Sequence, residues 1–470
     1  MSIIGKARRE LSLIAKDFTV EAFCSGGVDR SIDLALTQSG RGDQRLSPLQ
    51  PKLVMWLVLC LSIFRSESIP AVLARLLSGL RDALRTLPLC PLEDDAISHA
   101  RKRLGVDALR RFFRFQAAQI RPEPSFHGRV VWSFDGSMLT MPDTPTNRQV
   151  FGLPQASRGR SAFPQLKMVA LQDVSSRRFR EIRWHRWDSP ERQMALPLLD
   201  QLGERDLVLL DRGFYGVWFF DRILARGSHF LARVPSGVKL KAVAGTCRKS
   251  GDYLAWIKAR VPLPEGQVVK PPMGRPATHR KARLLVRVIE YQISRRERVR
   301  LVTSLVETAI PPRDWVLEYH RRWEIELAFD ELKTHQSSTA QGTCKTIFRS
   351  HTPRNVMQEA YALAAAYNLV RTTMVEAAER RGMDPKEISF VGSLRALEHM
   401  LPRMRSAPTQ RLPVLHEQLL QDISDARIDR PRRARHYPRV VKIKMSNYKL
   451  KRSCHHQQLV DFKTSIRIGA

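Results

Sequence analysis

Two aspartates close short apolar runs of β type: Asp135 follows residues 129–134 in FDGS, and Asp211 follows residues 206–210 in LLDRGFYG. In open α/β sheets the reactive groups gather where strands end, so the two carboxylates are candidates for one cleft. Taken singly, each is better explained as a turn or capping aspartate, the commoner fate of an Asp after a strand. A third group comes from EYHRRWEIELAFDELKTH, within a long helix predicted over about residues 313–335. At ~100° per residue, Tyr319, Arg322, Glu326 and Lys333 share an arc of about 60°, so a phenol, two cations and a carboxylate line one face. Glu324 and Glu331 point elsewhere, while Asp330 falls close enough that geometry alone does not exclude it. An exposed helix with i,i+4 ion pairs accounts for mixed charge but gives no reason to place a tyrosine among it. Three carboxylates brought together without metal repel one another and raise at least one pKa. A divalent cation makes such a cluster tolerable, and hard oxygen ligands are what Mg²⁺ prefers.

The elements that must carry these groups follow from pattern. Residues 1–116 have helical spacing, with a start at Ser47-Pro48, a buried stretch through Trp56 and an amphipathic stretch at 71–84. Inside this module DAISHARKRL puts Arg101, Lys102 and Arg103 on a short basic helix stopped by Gly105, either a DNA reader or an ordinary exposed face. Two prolines and a glycine at 121–128 mark a change of texture. Beyond it, β-type runs at 166–171, 179–184 and 206–210 combine with helices at 191–202 and 218–225, a mixed α/β sheet in which Asp188 reads as a helix cap. Lys-rich β-type pieces between 238 and 298, clearest at 284–293, surround a proline-bearing loop and read as an inserted β subdomain. A strand at 299–306 precedes the long helix, and 357–381 is a strongly apolar helix. The basic segment 427–452, with Tyr437 and Tyr448 interleaved, suits an arm that tracks phosphates.

The bulk composition narrows the class. Across 470 residues, 79 Lys and Arg face 46 Asp and Glu, and the net charge of +33 carries a self-repulsion that a polyanion relieves. With 43% hydrophobic residues the chain has material for real cores, and its length points to about three units. Cys24, Cys60, Cys90, Cys247, Cys344 and Cys454 form no CxxC pair, against both a disulfide scaffold and a zinc module; Cys454-His455-His456 lacks a spaced partner pair. His320 and His335 flank the long helix and could approach DNA, each being as well explained by solvent exposure. The longest apolar run, 53–64, falls short of the ~20 residues of a spanning helix, so no membrane partner and a cytoplasmic location are expected.

The spacing Tyr319-x2-Arg322-x3-Glu326-x6-Lys333 resembles the signature of the DDE transposases of bacterial insertion sequences of the IS-four group. Asp135-Gly136-Ser137 with Asp143, Asn147 and Phe151-Gly152, Leu210-Asp211-Arg212-Gly213-Phe214, and Arg321-Arg322-Trp323-Glu324-Ile325-Glu326 agree with it. The resemblance runs from about Ala96 to the C-terminus, the residues before it resembling the family's helical N-terminal module. It implies a helical DNA-binding domain (1–120), an RNase H-like core in two parts (128–237 and 299–380) around the inserted β-rich subdomain (238–298), and a helical C-terminal region with a basic tail (381–470). The strand VRLVTSL lacks the tryptophan of the hairpin-forming members, and Trp256 is the only one in the insertion.

The implied chemistry is phosphoryl transfer, in which catalysis rests on alignment and charge neutralisation. Asp135, Asp211 and Glu326 are then the catalytic and metal-binding carboxylates. Two Mg²⁺ ions are implied, Mn²⁺ able to substitute, with Asp135 shared between them. Tyr319, Arg322, Lys333 and Arg212 contact DNA, joined by Arg101, Lys102 and Arg103. The implied partners are double-stranded DNA, as terminal inverted repeats and target, and a second copy of the chain once on DNA at the bacterial nucleoid. The reaction expected is cut-and-paste transposition. A nuclease that cleaves without joining shares the carboxylates, and a non-catalytic DNA-binding derivative shares the charge.

Overall fold

The computed structural model describes residues 27–42, 49–65, 67–78, 94–156, 159–246, 251–262, 279–293, 298–336, 348–428, 435–436, 441–442, 449–450 and 460–469. In chain order its main elements are α1 (Val28–Gln38), α2 (Pro51–Leu61), α3 (Ile69–Ser78), α4 (Asp94–Leu104), α5 (Asp107–Ala118), β1 (Arg129–Thr140), α6 (Pro145–Phe151), β2 (Gln165–Asp173), β3 (Phe179–Arg186), α7 (Glu191–Ala195), β4 (Leu207–Leu210), α8 (Val217–Leu224), β5 (His229–Arg233), β6 (Asp252–Pro262), β7 (His279–Gln292), β8 (Arg298–Thr303), α9 (Pro312–His320), α10 (Trp323–Asp330), α11 (Pro353–Arg381), α12 (Phe390–Ser406) and α13 (Leu412–Asp425). The fold is mixed α/β, with a large sheet and many helices. The chain divides into two compact units, one taking the described parts of Met1–Pro122, Gly136–Ser189 and Glu326–Ile428, the other those of Glu123–Asp135, Pro190–Ile325 and Asp429–Ala470.

The first unit is mainly helical and built on α11. Its 29 residues are buried on nearly all sides, which is why the sequence shows an apolar run and no narrow stripe. Pro353 occupies its first turn, and Gly382 ends it at φ 60°, where Met383 N–H reaches back to the Ala378 carbonyl. Helices α2, α5 and α13 pack on α11, α5 bringing the Phe113 ring centroid to 6.3 Å from that of Tyr361. The β2–β3 hairpin is tied to α11 by Asn368, which accepts the Phe179 N–H and donates to the Phe179 carbonyl, both at 2.8 Å.

The second unit is built on a sheet in the order β1-β4-β5-β8-β7-β6, the first three strands parallel and the rest antiparallel. Strand β4 is wholly buried, and α8 sets Phe219 edge-on to Phe134 of β1, centroids 6.1 Å apart, and stacks Phe220 on Phe230 of β5, centroids 4.1 Å apart. The register of β1 and β4 is pinned at one end by Trp132 Nε1, which donates to Asp206 Oδ2 at 2.7 Å. The stretch expected as a separate β subdomain differs in one respect: β7 pairs with β8 along Arg287–Gln292, so β6 and β7 prolong the same sheet, giving its antiparallel edge a partner.

Three local expectations need correction. Strand β1 does not stop before Asp135 but continues to Thr140. Asp188 does not cap α7, whose N-cap is Pro190; its carboxylate pairs with Arg186 Nε at 3.0 Å. The single long helix is three pieces: α9, a tight turn at Arg321-Arg322 closed by Arg322 N–H to the Tyr319 carbonyl, then α10 running into a wide π-type turn, Glu331–His335, closed by Gln336 N–H to the Glu331 carbonyl. The Ser47-Pro48 start, residues 79–84, the proline loop beyond Pro262, most of the basic segment 427–452 and Cys454-His455-His456 lie outside the described residues.

Candidate active site

In the second unit the carboxyl ends of β4 and β5 lie alongside the middle of β1 and bring chemistry into one row. The pairing of β1 with β4 runs to Ser133↔Leu209, and two places on, Asp135 comes opposite Asp211. The pairing of β4 with β5 runs to Leu210↔Ala232, and one place on, Asp211 comes opposite Arg233. Neighbouring strands lie ~4.8 Å apart, so these three side chains are neighbours by topology.

Asp211 is held as the N-cap of a tight turn: its Oδ1 accepts from Gly213 N–H at 2.8 Å and Phe214 N–H at 3.2 Å. A Cβ on Gly213 would stand 3.1 Å from that oxygen, so a residue without a side chain keeps the approach open. Oδ2 takes neither N–H. Asp135 is 20% exposed, and its Oδ2 lies 3.7 Å from Arg322 Nη1. Both carboxylates are hard-oxygen donors, the type a divalent cation selects.

The end of α9 and the tight turn after it bring Tyr319 and Arg322 to this row. Tyr319 is buried, which pushes its phenol up to about 12; Arg322 and Arg233 oppose that shift, Asp211 adds to it, and Arg322 hydrogen-bonds the hydroxyl. Arg322 thus answers a phenol and a carboxylate at once. Trp323, the next residue, is 52% exposed, with the Arg322 guanidinium 5.5 Å from its ring centroid. Arg212 is exposed in the turn after Asp211.

Glu326 and Lys333 lie in the first unit, Glu326 on α10 four residues after Arg322. Lys333, in the wide turn, donates to Ser137 Oγ at 3.1 Å; half-burial pulls its ammonium down from the usual value and Asp330 partly offsets this. Among the described residues no three side chains of His, Cys, Asp or Glu stand together as a ready metal cage. Of the other motif residues, Asn147 donates to the Pro142 and Ser350 carbonyls, and Asp143 pairs with Arg148. Both hold the loop around α6.

The basic helix α4 separates into two kinds of cation. Arg101 is only 3% exposed: it donates to Gln358 Oε1 at 3.2 Å and to the Asn355 carbonyl at 3.1 Å, and stands 3.6 Å from Glu359. A guanidinium spent in a core network does not read DNA, so Arg101 leaves the expected recognition face, while Lys102 and Arg103 remain exposed. His320 likewise stacks on Phe462, centroids 3.9 Å apart, and His335 stands 3.6 Å from Asp330. Sequence reasoning missed Arg233 and Trp323. The first closes FLARV as Asp211 closes its own strand, the one signal that pointed to it.

A family model described as the transposase DDE domain matches residues 127–369, and one described as insertion element 4 transposase N-terminal matches residues 29–114. The chain is 29% identical over 423 residues to "Transposase InsG for insertion sequence element IS4" of Escherichia coli (strain K12), across 87% of this chain and 89% of that protein. The cryo-EM structure of a piggyBac transposase synaptic complex with hairpin DNA is 12% identical, with a TM-score of 0.42, over 87% of this chain and 84% of that one. Since the first match takes in Asp135, Asp211 and the whole Tyr319-to-Lys333 segment, this chain belongs to the transposase DDE domain family, joined to an N-terminal region of the insertion element 4 type.

Proposed function

We propose that Asp135, Asp211 and Glu326 are the carboxylates through which this divalent-metal-dependent enzyme cleaves DNA and transfers the strand, on an RNase H-like core formed around β1, β4 and β5. What supports the reading is the parallel register of β1 and β4, Ser133 paired with Leu209, which continued by two residues puts Asp135 beside Asp211. Asp135, Asp211 and Glu326 are hard oxygen donors of the kind that would hold Mg²⁺ or Mn²⁺, and the two ions expected would supply charge stabilisation to the attacking and leaving oxygens. Asp211 is already oriented for this by two backbone N–H groups on its other oxygen.

The remaining residues bind and orient the DNA end. Arg322 presents a planar fork for two phosphate oxygens, and Lys333 a point charge. Tyr319, neutral and hydrogen-bonded, keeps the Arg322 fork in place. Arg212, Lys102 and Arg103 meet the backbone at a distance from the scissile bond, and the exposed ring of Trp323 offers a stacking face to an unpaired base. The substrate is the terminal inverted repeat of an insertion sequence, moved by a cut-and-paste route in a homodimer on DNA at the bacterial nucleoid. No described helix is long and apolar enough to cross a membrane.

Calorimetric titration of the full chain on an end-bearing duplex with Mn²⁺ tests the division of labour. Asp135→Ala and Asp211→Ala are expected to lose metal binding, and Arg322→Ala to keep it while binding the duplex more weakly. Lost metal in Arg322→Ala with metal retained in Asp211→Ala contradicts the assignment.

A further inference from the structure

Five residues beyond Glu326 the helix widens, and the first residue of the wide turn, Glu331, is buried with its carboxylate fully engaged. Arg371 grips both oxygens, its Nε donating to Oε2 at 3.0 Å. Arg177 Nη1 donates to Oε1 at 2.7 Å, and the Tyr367 hydroxyl donates to Oε2 at 2.9 Å. These partners come from two other elements, α11 and the turn between β2 and β3.

That turn is built to send Arg177 inward. Arg177 sits at φ 62°, a left-handed conformation that costs a non-glycine residue free energy. Asp173 holds the turn by accepting the N–H groups and hydroxyls of Ser175 and Ser176. Burial alone would raise the Glu331 carboxyl, but Arg371 and Arg177 outweigh it and keep it below its usual value, ionised.

A buried ion cluster of this kind is weak evidence for stability, because well-packed apolar residues of similar volume often serve as well or better. What it fixes is geometry. Wide turns inside helices are rare and collect at functional sites, and this one alters the phase of every residue after Asp330 relative to a uniform helix. Two residues on, Lys333 meets Ser137 Oγ at 3.1 Å.

We infer that Glu331 is a positioning residue: clamped by Arg371, Arg177 and Tyr367, it locks the wide turn and thereby aims the Lys333 ammonium. The inference rests on the reading of Lys333 as a phosphate-binding group. Its test is a double-mutant cycle of Glu331→Gln with Lys333→Ala, reading cleavage of an end-bearing duplex at saturating DNA beside thermal unfolding. In folded protein, Glu331→Gln should slow cleavage by roughly 10²-fold, the cost of misplacing a group that orients the reactants. In the Lys333→Ala background it should slow cleavage no further, while melting falls equally in both backgrounds. A loss that multiplies that of Lys333→Ala, or folded Glu331→Gln cleaving at the wild-type rate, overturns the positioning role. Lys333→Ala cleaving at the wild-type rate defeats the phosphate role itself and is read without Glu331→Gln. Where Glu331→Gln does not fold, Tyr367→Phe removes one hydrogen bond, leaves both ion pairs and carries the same cycle with a smaller loss.

Discussion

Arg322 answers two groups with opposite demands, the Asp135 carboxylate 3.7 Å away and the buried Tyr319 hydroxyl, and it has guanidinium nitrogens enough for both and for a phosphate. Deleting it removes one charge-assisted contact to the DNA end, so Arg322→Ala should weaken end binding roughly tenfold to a hundredfold in a fluorescence anisotropy titration. Equal affinity for the end in both proteins would remove the contact. Tyr319 predicts a pH response. Unfolded tyrosine titrates near 10, and burial lifts the folded phenol to about 12. The folded state therefore favours the protonated form; that stability is fully present below pH ~10 and is lost as pH rises through about 12. Across the neutral range Tyr319 stays an uncharged hydroxyl. Alkaline unfolding followed by circular dichroism should be less steep in Tyr319→Phe, with part retained because burial raises Tyr215 to about 12 as well. An unchanged alkaline profile would show that the phenol is not buried in solution.

At the scale of elements, much was legible because local pattern and burial agreed. Strand β4 reads as a continuous apolar run because it is buried throughout, and Asp211 ends it because the turn after it needs a cap. The uniform 100° count placed Tyr319, Arg322, Glu326 and Lys333 on one face, yet the helix is broken before Trp323 and widened after Asp330. The partners of Glu331 lie far away in sequence, in a hairpin turn and on α11, and no local pattern encodes such a cluster. Helix α4 failed for the same reason: three consecutive cations look alike until tertiary packing buries the first. Arg101→Ala leaves buried Glu359 short of a partner, so it should cost ~3 kcal/mol in denaturant unfolding while leaving the salt dependence of DNA binding unchanged. Lys102→Ala and Arg103→Ala should do the reverse, each lowering the salt slope by about 1 with little change in stability. Salt slopes unaltered by either change would take α4 off the DNA.

For the whole molecule, the +33 charge makes binding to duplex DNA steeply salt-dependent, because each neutralised phosphate contributes about −0.9 to the slope of log K against log salt. A flat response between low and physiological salt would mean that the charge serves some purpose other than the phosphate backbone. The charge alone fits any DNA-binding protein; the proposed carboxylates Asp135, Asp211 and Glu326 are what would separate this chain from a passive binder. The most direct test incubates the full chain with a labelled terminal fragment and Mg²⁺ and resolves nicked, hairpin and joined products on one denaturing gel, for the wild type beside Asp135→Asn, Asp211→Asn and Glu326→Gln. Wild-type protein should yield cleaved and joined strands, and each variant should bind the fragment yet yield neither. Wild-type product from any one of the three would contradict the assignment.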